Sequence, residues 1–146
     1  ERDMATAGTA GYPVLLKIDD GAGNYTTVAE VMDISGPNLT LDLQDATSHS
    51  STAGWEEVIA GILAGGEITF SLIFLPVNAT QSYTSGIIKE MVNRVKRNFK
   101  LVWSNTGATE WIFPCYVAAH SAKAPVRGNL PADVTLRVTG QPTLAG

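Results

Sequence analysis

Leu39, Leu41 and Leu43 alternate with Thr40, Asp42 and Gln44, the two-residue period of a strand with one face buried. The same period recurs further on. Ile68, Phe70, Leu72 and Phe74 share a face of a strand that Pro76 ends, and Val134, Leu136 and Val138 lie opposite Thr135, Arg137 and Thr139 on another. An apolar strand at 14–18, the turn "DDGAGN" and a return strand at 26–34 predict a hairpin. Two more strands fall at 99–103 and 110–120, joined by "SNTGAT". Pro114 marks the second of these as an edge strand or a bulge. Helical spacing governs one segment: Ile87, Ile88, Met91, Val92 and Val95 oppose Lys89, Glu90, Arg94, Lys96 and Arg97, with Thr84 or Ser85 placed to cap. Sequential strands with short turns favour antiparallel pairing. The expected fold is mainly β: an antiparallel sandwich or barrel of about seven strands, one flanking α-helix and a long structured loop.

That loop breaks the pattern. Leu43 and Ile68 belong to strands expected to be neighbours, yet more than twenty residues separate Asp45 from Glu67, against about 2–5 in an ordinary hairpin. Within it, Trp55, Val58, Ile59, Ile62 and Leu63 fall at i, i+3, i+4, i+7 and i+8, the apolar face of a short helix. Glu56 and Glu57 would sit in its first turn and Gly65-Gly66 would stop it. Gly61 weakens such a helix by about 1 kcal/mol, so it must pack on something. Two surfaces satisfy it: the chain's own sheet or a neighbouring subunit.

Composition places the 146 residues among globular chains, at 45% hydrophobic and 16% charged. No apolar run approaches a membrane span, and the opening "ERDMATAGTAGYP" has no secretory apolar region. Residues 1–11 read as a flexible leader and 12–146 as a single β domain. One cysteine, Cys115, fits a reducing compartment and the role of a small buried hydrophobe. Three N-x-Ser/Thr sequons, at Asn24, Asn38 and Asn78, have no secretory signal beside them and read as chance. The net charge of −4 argues against a general nucleic-acid binder. Its distribution is uneven: residues 1–80 carry 11 acidic and 2 basic groups, residues 81–146 carry 3 and 8. Those balances of −9 and +5 either mix on folding or steer association through opposite patches.

Candidate chemistry is thin. Asp45, Ser48 and His49 supply the parts of a nucleophile–base–orienter set, but such sets are assembled from distant segments, and no G-x-S-x-G elbow exists. Two widely spaced histidines and one cysteine match no metal-ligand pattern. "DDGAGN" lacks the later acid of a calcium loop, and no glycine-rich stretch carries a phosphate-loop lysine. No catalytic, cofactor or metal residue is therefore expected. A rival use of the fold is a monomeric sugar-binding module with Trp55, Trp103 or Trp111 as a stacking platform.

The stretch "VAEVMDISGPNLTLDLQDATSHSSTAGWEEVIAGILAGGEITFSLIF" resembles the signature region of long-tailed phage major tail tube proteins. The "P-N--QSY---I" segment, the helix and the closing "VTLRVTGQPTL" fit as well, so the resemblance runs from about Tyr12 to Leu144. It implies a non-enzymatic subunit that forms six-membered rings, stacked into a hollow tube around a tape-measure protein and bounded by terminator and baseplate proteins. It implies assembly in the bacterial host cytoplasm, residence in the virion tail, and DNA as transient lumen cargo. The 45–66 loop would be the assembly arm, with Trp55, Ile59, Ile62 and Leu63 as stapling residues and Ser48-His49 in its turn. Some relatives carry an additional immunoglobulin-like domain; a chain ending at "TLAG" fits the single-domain form.

Overall fold

The computed structural model describes residues 13–105 and 107–145. The leader at 1–11 lies outside them, as does Tyr12. The expected mainly β architecture is present. Among the described residues there are ten strands, not about seven, because the 26–34 strand splits in two, residues 58–64 are a strand and a short strand is added at 143–144. The strands are β1 (Leu15–Asp19), β2 (Tyr25–Thr27), β3 (Val31–Ser35), β4 (Thr40–Asp45), β5 (Val58–Ala64), β6 (Glu67–Ile73), β7 (Arg97–Val102), β8 (Glu110–Ala122), β9 (Pro131–Val138) and β10 (Thr143–Leu144). One α-helix, α1 (Ile87–Val92), flanks them.

Eight strands form one antiparallel sheet in the order β2-β1-β7-β8-β9-β6-β3, with β10 also paired to β8. Only residues 28–30 join the edge strands β2 and β3, so the sheet's two ends meet and it rolls into an open barrel. Its inner face holds the core: Leu16, Ile68, Phe70, Leu72, Phe99, Leu101, Phe113, Val134 and Leu136 are all buried, with Cys115 among them. The expected period-2 faces of β6 and β9 are therefore real, and both point inward. Burial pushes the Cys115 thiol up to about 12, which keeps it an unreactive packing group.

Three expectations change. The return strand at 26–34 splits, because Glu30 takes a positive φ of 59° and lets the chain cross from one sheet edge to the other. The helix ends at Val92 instead of running to residue 97. Arg94 adopts a φ of 58°, and Arg97 to Val102 are taken by pairing with β1 and β8. Neither Thr84 nor Ser85 caps it; Gly86 holds that position without a side-chain bond. Pro114 is not at a sheet edge, since β8 is an interior strand. On one side β10 pairs with Trp111 and Ile112 while β9 begins at Cys115, so Pro114 falls between two partners and its missing N–H interrupts neither ladder.

The segment between β6 and α1 is pinned by a buried side chain. Gln81 donates through its amide to the carbonyls of Ala29 (2.8 Å) and Ile73 (3.1 Å), and its Oε1 accepts from Leu75 N–H at 2.8 Å. On α1, the buried Glu90 forms an ion pair with the partly exposed Arg97.

Candidate functional site: an exposed acidic and apolar arm

The long loop contains no α-helix. Residues 58–64 form β5, which pairs antiparallel with β4, and this two-stranded hairpin is separate from the main sheet. The strand of Leu39, Leu41 and Leu43 is thus the first half of a projecting arm, not a half-buried member of the sheet. Its neighbour is β5, not β6. "VIAGILA" is a continuous apolar run, which carries a strand as readily as a helix; Val58, Ile59 and Ile62 are β-branched and the available partner edge is β4. Between the pairs Leu41↔Leu63 and Leu43↔Ala60, two steps on β4 match three on β5, so a bulge twists the arm at Gly61-Ile62.

Two glycines set the arm's roots. Gly36 has φ +100° and Gly66 has φ +69°, a region that other residues rarely adopt. A Cβ on Gly36 would lie 2.5 Å from the Glu67 carbonyl oxygen, and one on Gly66 would lie 2.5 Å from that of Asn38.

All thirteen residues of β4 and β5 are exposed. Ile62 is 79% exposed, Leu63 76%, Trp55 75% and Ile59 58%, so the four residues expected to staple all lie on the arm and are left uncovered by the chain's own core. Leu41, Leu43 and Val58 are exposed on the arm as well. The arm carries Asp42, Asp45, Glu56 and Glu57 and neither Lys nor Arg. Its surface is therefore apolar and acidic at once.

The tip is held by local bonds. Thr47 Oγ1 donates to the Glu57 carbonyl at 3.2 Å and accepts from Glu57 N–H at 2.9 Å, while Ala46 N–H also reaches that carbonyl. The Asp45 carboxylate accepts from Thr47 N–H at 2.9 Å, and that backbone bond holds it below the usual range. Ser48 Oγ lies 3.1 Å from Ser50 Oγ and accepts from Ser50 N–H; Ser48 N–H is bonded to Ser51 Oγ. These bonds build a turn, with His49 exposed within it, and supply no nucleophile–base contact. Among the described residues no group of three or more His, Cys, Asp or Glu stands close enough to hold a metal. No helix among them is long and apolar enough to cross a membrane.

The tryptophans divide. Trp103 and Trp111 pack edge to face at 5.2 Å against the core, and Trp111 Nε1 donates to the Ala145 carbonyl at 2.8 Å. They are structural, so the stacking-platform reading is left with Trp55 alone. Between the arm's base and the C-terminal strand lies an open apolar groove of about 780 Å³, lined by Leu39, Leu41, Leu63, Pro142 and Leu144.

Charge stays partly segregated. Of the four ion pairs among the described residues, only Glu67–Arg137 joins the acidic first half to the basic second.

An open barrel of one sheet with a projecting, uncovered apolar hairpin has the form of a chain that offers a surface to another protein. Solved structures share it. The chain is similar to a protein in the tail of an empty gene transfer agent particle with C6 symmetry (TM-score 0.75, 17% identity, covering 95% of this chain and 100% of that one). A protein of the native gene transfer agent virion matches with a TM-score of 0.76 at 14% identity, over the same shares of the two chains. The SPP1 tail tube protein matches with a TM-score of 0.68 and 13% identity, covering 94% of this chain and 80% of that one. No curated protein sequence matches. Residues 17–145 match the family model of the lambda phage tail tube protein, and the chain belongs to that family. It is a structural protein of a tail tube, a body built from repeated copies, and it is not an enzyme.

Proposed function

We propose that this chain, as one β unit with one arm, forms rings of six that stack into the hollow tube of a virion tail, and that the arm is the contact between copies. The family match over residues 17–145 carries the tube role, and the C6 symmetry of the gene transfer agent tail favours six. Trp55, Ile59, Ile62 and Leu63 staple the copies, each large apolar side chain contributing about 1.5–3 kcal/mol when covered. Ser48 and His49 shape the tip that meets the neighbour. In this reading the tube is assembled in the bacterial host cytoplasm around a tape-measure protein. Terminator and baseplate proteins close its ends, and its lumen passes DNA without specific binding. The excess of acidic over basic groups suits a wall to which DNA does not adhere.

The test is electron microscopy with light scattering on the wild-type chain and on Ile62→Asp/Leu63→Asp. The wild type is expected to form rings and tubes, and the variant to remain a folded single subunit. Normal tubes from the variant would remove the arm from the contact.

A further inference from the structure

The two ends of the barrel differ in chemistry. At one end, Glu67 pairs with Arg137 and Ser35 with Thr69, and the arm leaves between them. At the other, Ile73 pairs with Pro131 and Ala122 with Ala132. From this far end projects the β8–β9 loop, residues 123–130, longer than the roughly 2–5 residues a hairpin needs. Every residue of it is exposed, Val126 fully so, and Leu130 also presents apolar surface. Arg127 has no ion pair among the described residues, and Lys123 has only a loose one, 3.6 Å from an exposed Asp133 carboxylate.

An acidic arm without cations repels a second arm, so its partner must be cationic and apolar. Several other cations are engaged: Arg97 with Glu90, Arg137 with Glu67, and Lys100 with Glu110 and the Tyr25 ring. Lys89, Arg94 and Lys96 stand around α1 and the turn after it, where Val92 is exposed. The 123–130 loop combines Arg127, which has no ion pair among the described residues, and the loosely paired Lys123 with a fully exposed aliphatic residue at the end opposite the arm. A contact between opposite ends joins two different patches and propagates instead of closing on a pair.

We propose that the arm of one copy docks on the 123–130 loop of a second copy, with its apolar residues on Val126 and Leu130 and the carboxylates of Asp45, Glu56 and Glu57 facing Lys123 and Arg127. The proposal rests on the tube reading and names the surface that receives the arm.

Charge exchange on the full-length chain tests it, with tubes quantified by sedimentation and microscopy. Glu56→Lys/Glu57→Lys and Lys123→Glu/Arg127→Glu are each expected to lower pelleted tubes at least about tenfold at low salt, and the quadruple variant to recover to within about twofold of wild type. Full tube yield from the loop variant, or no recovery in the quadruple variant, overturns the proposal. So does recovery of the arm variant by Lys89→Glu/Arg94→Glu, which would move the receiving surface to α1. Wild-type chain that never forms tubes would instead overturn the tube reading itself. A second measurement is independent of folding changes: copies carrying Trp55→Cys mixed with copies carrying Val126→Cys should form disulfide-linked dimers on oxidation, since native Cys115 is buried. Absence of the cross-link in wild-type-like tubes overturns the proposal as well.

Discussion

His120 shows how one side chain can couple this fold to pH. It lies on β8 opposite Val134, its ring edge-on to Phe74 at 5.1 Å, and its Nε2 is buried with no hydrogen bond among the described residues. Burial holds it below its ordinary value of 6.5, because the charged ring would lose hydration there. The unfolded chain then takes the proton first. The stability His120 supports is fully present above that unfolded value and drains away as pH falls through it toward the lower folded one. His120→Phe keeps an aromatic ring beside Phe74 and removes the proton site. The urea midpoint of the variant should fall less than that of the wild type between about pH 7.5 and about pH 5.5. Equal falls would mean that other groups set the acid sensitivity.

At the scale of elements, the arm depends on how its roots are held. Gly66→Ala would force a left-handed backbone on a β-carbon and press it against Asn38, a cost of about 1–3 kcal/mol. Urea denaturation should show that loss, and tubes should shorten because the hairpin leaves at a changed angle. An unchanged midpoint would show that the root relaxes freely. The barrel's strands were legible in the sequence because one-sided burial leaves a two-residue trace, clear in β6 and β9. The arm was legible as an oversized loop, and Trp55, Val58, Ile59, Ile62 and Leu63 stood out in it as a set of large apolar residues. Its form was not. In "VIAGILA" the large side chains fall at helical spacing within a run apolar at every position, so the spacing did not mark a helix, and "LTLDLQ" alternates although neither face meets the core. Where Pro114 stood, a change of pairing partner did what a sheet edge was expected to do. The 123–130 loop carried no sign of a contact surface, since exposed loops with a lysine and an arginine are common.

For the whole molecule, the arm's exposure has a thermal consequence. In the proposed arm contact, a subunit that leaves Trp55, Ile59, Ile62 and Leu63 in water would draw its drive to associate from releasing that water. Such a drive weakens on cooling, and covering the surface lowers the heat capacity. Tubes grown at about 37 °C should therefore shed subunits near about 4 °C and regrow on warming, a cycle that light scattering would follow. Cold-stable tubes would place the main drive in charge pairing instead. With the arm as the proposed contact, the uncovered hairpin would make warmth a condition for the tube's growth.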